Sequence, residues 1–484
     1  MSCLKIKNIR ANFFDLGQYT SFVSQIQNEL FFEVLFSTHV QPFMAIFAAL
    51  LPPGYIDYGL VLLQCGGIGI GGYVFIRCCP LDVRLPAALT YTFSLAPWFS
   101  ALNDYHLEHL LFPLVIGFIG LLIQPMAHRW PALLGISIAV CLVKEPYALA
   151  ASCLGGLAIL RGHPRVGLVI VLISLATFFA TTAYVIPAYT QGRELGELWS
   201  SSFGYLGKSP FEMLASAFAQ PAAIAQHVLD WRKLLFIGVL VGPFIYVAWL
   251  APAAMLPCLP AIAIMLVSAN PDHAYLAHQY NVPVAATMMG AAAMALHRVN
   301  TSATRNQLLA FSAATSLVAL VLFGPAPISR LFWSGHAHGY QWQAYVPTER
   351  SAEIRRLIAL HIPRNRNIAV SVQNSIHVGI IAERPFVFPF PEGVTTPALV
   401  LPNISARLLG PTPSALAGRV FADFVIVDLK RPLSNRDKVC RWSATSVCTD
   451  DQFNERFHHA LSAAKLGFDV IASYDSFVIY KRRK

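Results

Sequence analysis

Residues 131–160 read PALLGISIAVCLVKEPYALAASCLGGLAIL, a largely apolar stretch interrupted at its centre by Lys144-Glu145-Pro146. A bilayer core about 30 Å thick is crossed by roughly 20 apolar residues as helix, so the stretch is either one overlong helix or two short ones. A single helix would leave a Lys-Glu pair in hydrocarbon, which is costly. Working outward, further apolar segments fall near 55–76, 84–100, 108–123, 166–186, 234–250, 252–267, 282–297 and 306–323. Lys and Arg in short loops prefer the cytoplasmic side. With a break at Lys144, Arg77, Arg84, Arg129, Arg161, Arg165, Arg298 and Arg305 share one side and Lys144 stands alone on the other. With a single helix the downstream half inverts and the bias disappears. The broken reading, with spans at 131–143 and 146–160, therefore sets the expectation: a polytopic α-helical membrane protein of about ten spans.

Composition points the same way. Of the 484 residues, 56% are hydrophobic and 12% charged, against about 25% charged in soluble domains; mean hydropathy is +0.54. Charge is concentrated at one end, since the stretch from Tyr340 to the C-terminus holds 19 Lys/Arg and 12 Asp/Glu. That tail is expected to be a water-soluble α/β domain. Thr348 precedes Ala352, Ile354, Leu357 and Ile358 at helical spacing; strands are expected at Ile368–Gln373 and Phe424–Leu429, a helix near Asp451–Leu466 and a hairpin over Asp469–Tyr480. The expected domains are an outer-face N-terminal segment (1–54), a transmembrane domain (55–323, with a long outer loop at 187–233) and the tail (340–484). Net charge +10 does not signal nucleic acid, because the longest basic block is Lys481-Arg482-Arg483-Lys484.

The threading puts the N-terminal segment, the Asn103–His109 turn, Lys144-Glu145, the 187–233 and 268–281 loops and the tail on the outer face. His39–Leu51, about 13 residues with Pro42, reads as an interfacial or re-entrant helix. Lys5, Lys7 and Arg10 would have to be exported without a preceding span, which predicts a first transmembrane helix encoded upstream of Met1 or lost from this copy. Among the nine cysteines, Cys440 and Cys448 are a pair in the exported tail and could form a disulfide there. Gly66-Gly67-Ile68-Gly69-Ile70-Gly71-Gly72 lies inside an apolar span and reads as close helix packing rather than phosphate binding.

Polar residues gather on the outer face. Each has an ordinary structural reading: Asp15 as the cap of a helix beginning at Leu16, His39 as an interfacial anchor, Lys144-Glu145 as a solvated turn, His278 and Tyr280 as interface residues. Asp104, His106, Glu108 and His109 crowd one short turn between apolar helices. Because the helices flanking Lys144 are short, their turn could floor a recess open to the outside, where irregular polar backbone is tolerated only if it lines a cavity. Carboxylates, imidazoles and an ammonium in such a recess suit a substrate with a phosphate head and a lipid tail, with a carboxylate as base and the cations holding the phosphate.

Phe14-Asp15-Leu16-Gly17, His39 with Pro42, Tyr105-His106 with Glu108, Lys144-Glu145 and the His278/Tyr280 loop also occur in the order of the motifs of a bacterial membrane-protein family known as domain of unknown function 2079. The chain resembles that family over nearly its whole length, including Gly204-Tyr205-Leu206-Gly207 and the Ala422–Asp428 strand. It departs from the family pattern at Leu107 and Pro146, where Pro and Asp are usual, and at Gln279, which separates His278 from Tyr280. The family is similar in design to the GT-C glycosyltransferases, which use polyprenyl-phosphate sugars. The resemblance implies an inverting GT-C-type transferase of the bacterial inner membrane with Asp15 as catalytic base. It further implies a polyprenyl-phosphate-linked sugar as donor, membrane lipid around it, and a glycan, lipid or protein acceptor.

Glu108 would be a second catalytic carboxylate or a divalent-metal ligand; His106 and Glu108, at i and i+2, could share a site only in a loop. His39, His106, Lys144, Glu145, His278 and Tyr280 would bind substrate and its phosphate. A divalent metal at Glu108 is the one cofactor this reading leaves open. Two other classes remain open: a transporter, which would place its charges near the midplane in repeat-related halves, and a non-catalytic scaffold or sensor of envelope glycans.

Overall fold

The computed structural model describes every residue except 8–13, 28–34, 37–38, 104, 124–128, 191–201, 208–209, 277, 335–339, 364–367, 374–375, 377–385, 392, 395–397, 401–417, 431–449 and 484. The chain folds into two compact units. One comprises Phe36–Phe43 and Leu63–Ala337, the other Met1–Leu35, Met44–Leu62 and His338–Lys484.

The first unit is helical. Among the described residues, Pro53–Cys78 (which enters it at Leu63), Pro164–Ala188, Trp231–Ala248 and Ser302–Phe323 are long and apolar enough to cross a membrane, and five shorter apolar helices accompany them. Every segment expected as a span is helical. One differs in form: 84–100 is two helices, Arg84–Phe93 and Leu95–Leu102, separated at an extended Ser94. Pro97 explains the break, because its ring lacks an amide hydrogen and would clash with the carbonyl four residues earlier in a continuous helix. At the centre lies Asn281–Leu296, all 16 residues of which are buried. It packs against Leu111–Ile123 and Trp231–Ala248. Its alanines and Gly290 permit close approach, and a Cβ on Gly290 would meet Ile119 Cδ1 at 2.6 Å.

The helices Trp130–Val143 and Tyr147–Leu160 end and begin around Lys144, as expected. Lys144 is extended, and Pro146, at φ −65°, takes the N-cap position of the second helix. That helix turns back at Gly162, whose φ of +86° is a left-handed value that glycine adopts without strain. The His163 amide bonds the Ala158 carbonyl and Pro164 opens the next helix, a glycine stop followed by a proline start. The antiparallel pair then packs backbone to backbone, since a Cβ on Gly155 would lie 2.7 Å from the Gly167 carbonyl oxygen.

In the second unit the main sheet runs β2-β1-β5-β7-β6. Its strands are β1 (Ala369–Val372), β2 (Phe386–Pro389), β5 (Phe424–Asp428), β6 (Phe468–Tyr474) and β7 (Phe477–Arg482); β3 (Ala398–Val400) and β4 (Gly418–Val420) form a separate pair. β1 is parallel to β2 and β5, and β7 is antiparallel to β5 and β6. Alternation along β5 sends Phe424 and Ile426 to the face covered by the helix Glu349–His361, and Val425 and Val427 to the face covered by Asp450–Gly467. Thr348 accepts from the Ser351 amide and caps the first of these helices. The strands and helices expected in the tail thus occur within a few residues of their expected bounds. Arg350 bonds both oxygens of the buried Asp428 and also Asp475, in the β6–β7 turn.

N-terminal residues join this unit. Helix Phe14–Gln27 presents Gln27, which donates to the Ala48 and Leu51 carbonyls at the end of the helix Phe43–Leu50. Arg355 bonds the Ile6 carbonyl, and the Lys5 ammonium lies 4.4 Å from the Tyr340 ring centroid.

Candidate functional site

The polar residues of the first unit meet around Glu108. It lies in the short 3-10 turn Leu107–Leu110 that leads into Leu111–Ile123, and its side chain is fully buried. Lys144 reaches across from the turn after Val143, placing Nζ 3.4 Å from Glu108 Oε1. The Tyr147 hydroxyl, one helical turn further on, donates to the same oxygen at 3.1 Å. His106 Nδ1 stands 3.9 Å from Oε2. That approach needs non-helical backbone, and His106 is extended, at φ −146° and ψ 141°. Here the condition set by the i, i+2 spacing is met.

Behind Glu108, Gln64 fixes the turn: it accepts from the His106 amide at 2.8 Å and donates to the Ser100 carbonyl at 2.6 Å. His109 Nδ1 bonds the His106 carbonyl at 2.6 Å. Its ring lies against the helix Ile56–Cys78 where that helix has no side chain, for a Cβ on Gly67 would come 2.4 Å from His109 Cδ2. Gly71 likewise makes room for Phe112, while Gly66 and Gly69 face open space. The glycine run serves helix packing, and one of its positions seats a polar residue of the recess.

A second buried carboxylate, Glu145, follows Lys144 in the chain. His39 Nδ1 lies 2.6 Å from its Oε1, and the Val40 amide donates to Oε2 at 3.0 Å. Burial opposes its ionisation, but the His39 imidazole beside it and then the Lys144 charge outweigh burial and hold the carboxyl below its ordinary value. The cations expected to bind phosphate are thus engaged by carboxylates, Lys144 by Glu108 and His39 by Glu145.

A narrow recess of about 10 Å³, room for about one water molecule, opens beside Glu108, lined further by Ser100, Asn103, His106, His109 and Gln279. The residue that the 268–281 loop contributes to it is Gln279, rather than the expected His278 or Tyr280. The His278 ring packs on Tyr275 at 5.3 Å and the Tyr280 ring on His273 at 4.5 Å. Asp15 lies in the first turn of Phe14–Gln27, which begins at Phe14 instead of Leu16, so Asp15 is inside the helix and not its cap; its side chain falls outside the described residues. So do Asp104, Cys440 and Cys448. Among the described residues, no three or more His, Cys, Asp or Glu side chains are grouped to hold a metal ion.

Sequence reasoning omitted Tyr147, Gln64 and Gln279 from the site. Gln64 had a signal, being a lone amide in an otherwise apolar stretch of helix, where polar side chains tie neighbouring elements together. Tyr147 lies two residues beyond Glu145, and Gln279 lies between His278 and Tyr280.

A family model described as Predicted membrane protein (DUF2079) matches residues 17–405. The chain belongs to that family. The matched segment contains His39, His106, Glu108, Lys144, Glu145, His278 and Tyr280, and begins two residues after Asp15. A solved structure, that of ArnT from Cupriavidus metallidurans bound to undecaprenyl phosphate, aligns with a TM-score of 0.47 at 13% identity, covering 98% of this chain and 95% of that one. No curated protein matches the sequence.

Proposed function

We propose that this membrane protein is a glycosyltransferase that moves a sugar from a polyprenyl-phosphate donor to an acceptor on the outer face of the inner membrane. The observation that carries the reading is the Glu108 carboxylate, fully buried at a break between short apolar helices beside a narrow polar recess, with one oxygen held by Lys144 and Tyr147 and the other without a hydrogen-bond partner among the described residues. A carboxylate paired with a fixed ammonium and left with one unbonded oxygen can take the proton of an acceptor hydroxyl as it attacks the anomeric carbon, and a single displacement would invert that centre. Lys144 positions and charges the base. Glu145 and His39 pair with each other next to Lys144 in the chain and fix its turn, and His106 provides a second proton-transfer group 3.9 Å from the base.

Asp15 is the carboxylate favoured by the family resemblance, and Glu108 the one favoured by geometry. Conservative amide substitutions separate them. With lipid-linked labelled sugar and matched membrane levels, Glu108→Gln should lose about 10²-fold or more of transfer. Asp15→Asn should do the same only if Asp15 is the base. Transfer unaffected by Glu108→Gln would retire Glu108, and absence of transfer by the parent protein from any polyprenyl-phosphate sugar would retire the reading.

A further inference from the structure

The loop that precedes the helix Trp231–Ala248 contains two short helices, Pro210–Ala219 and Pro221–Val228, and its composition does not suit a loop in water. From Met213 to Leu229, 17 residues in a row include no Lys, Arg, Asp or Glu, where the average for a soluble domain would place about four. The second helix is held from one side. His227 packs its ring on Tyr205 at 4.4 Å, and the Tyr205 hydroxyl donates to the Val267 carbonyl at 2.6 Å. Lys233, in the first turn of Trp231–Ala248, donates to the Leu266 and Ser268 carbonyls. Pro221–Val228 is thereby fixed against the end of the helix Leu259–Val267.

The other side is uncovered and apolar. Ala215 and Phe218, three apart, are exposed on the first helix; Ala222, Ala225 and Leu229, three and four apart, line one face of the second and its end, and Trp231 follows. Phe218 is 81% exposed, Leu229 68% and Trp231 66%. Among the described side chains from Glu212 to Trp231, the exposed polar ones are Glu212, Gln220 and Gln226. An apolar surface of this extent marks a place of interaction. It runs on into Leu234 and Leu235, exposed on a helix whose length and composition suit a bilayer, and that continuity makes lipid the occupant. Neither short helix can cross a membrane. Their junction limits the depth, because the backbone leaves the helical path at the exposed Gln220, with φ −129° and ψ 56°. A helix end and a helix start leave backbone groups that water or headgroups can satisfy and hydrocarbon cannot. Trp231, with the Arg232 guanidinium 5.9 Å from its ring centroid, has the character of an anchor at headgroup level.

We propose that residues 210–231 lie flat in the bilayer interface, with Phe218, Leu229 and Trp231 inserted where headgroups meet acyl chains, and that the partner of this surface is lipid and not a second protein. The assignment is independent of any transfer reaction. The segment is a membrane-surface element rather than a loop in water.

The test uses the full-length protein, one copy per nanodisc of phosphatidylethanolamine and phosphatidylglycerol. p-Acetylphenylalanine placed at Phe218 or at Leu229 and coupled to a hydroxylamine nitroxide gives a spin label without recourse to the native cysteines, and both positions are exposed, so packing is left intact. Oxygen, which concentrates in lipid, should relax each label more than a water-soluble nickel chelate does. Stronger relaxation by the nickel chelate would overturn the proposal, since a surface made for a second copy or another protein is bathed in water when the protein is alone in its disc. Protection from both reagents would overturn it too, by showing that protein covers the strip. Trp231 gives a second reading through the emission lost in Trp231→Phe. That emission should be quenched by lipid brominated near the headgroup more than by aqueous iodide, and the equal or reversed order would likewise overturn the interfacial placement.

Discussion

Glu108 and Glu145 are both buried, yet their hydrogen bonding differs. Both oxygens of Glu145 are met, by the His39 ring and the Val40 amide, whereas Glu108 Oε2 has no hydrogen-bond partner among the described residues. Glu145 therefore reads as a structural acid with a pH signature. Its folded carboxyl titrates below the unfolded value, so its contribution is complete above the unfolded value, about pH 4.3, and is lost as pH falls through the lower folded value. Thermal unfolding of the purified protein should show this acid limb. Glu145→Gln should lower stability near neutral pH and make the limb shallower, and parallel curves for the two proteins would rule Glu145 out. Glycines offer a second residue-level contrast. In an exposed helix Gly→Ala gains about 1 kcal/mol, and Gly69→Ala, facing open space, should be neutral or stabilising. Gly67→Ala should instead cost about 1–3 kcal/mol, because its Cβ would overlap the buried His109 ring. A melting temperature unchanged by Gly67→Ala would show that the ring can move. From sequence, Glu108, His106 and Lys144 were legible because ionisable groups beside apolar helices are expensive. Gln279 was not, since an amide in a polar loop carries no such penalty.

Among the elements, the break at Lys144 was readable because charge and length both opposed a single helix, and the break at Ser94 was passed over although Pro97 encoded it. Hydropathy alone smooths across such a proline. In the tail, strand alternation and the Thr348 cap made the α/β elements legible, while the sheet order, with β1 between β2 and β5, depends on long-range pairing that no local pattern states. The β6–β7 hairpin turns at Asp475 and Ser476, with φ of 46° and 68°, values that two-residue hairpins need and that glycine and asparagine take most easily. Ser476→Gly should stabilise the tail by about 0.5–1 kcal/mol by relieving a left-handed serine. Arg350→Met should destabilise it by about 3 kcal/mol, because the buried Asp428 would lose its two-pronged partner. Limited proteolysis across a thermal ramp would measure both, and a tail unaffected by Arg350→Met would show that Asp428 is held by other groups.

Charge segregation is the property of the whole molecule: seven arginines sit at loops of one predicted side, and the tail holds about half of all charges. If those arginines face the cytoplasm, a reporter active only in the periplasm should work when fused after Arg350, and Cys440 and Cys448 should resist thiol labelling until reduced. Activity from a cytoplasmic reporter at that site would reverse the threading and, with it, the outer-face placement of the recess. The enclosed helix Asn281–Leu296 has a bearing on biogenesis. A helix with protein on every side receives no stabilisation from lipid in the finished molecule, so its residues answer to the shapes of Leu111–Ile123 and Trp231–Ala248 and not to hydrophobicity. During synthesis it follows both of those neighbours out of the ribosome. The groove that shelters it exists before it arrives, and larger side chains along it, at Gly290 above all, should appear as failed insertion and low yield before any effect on chemistry can be measured.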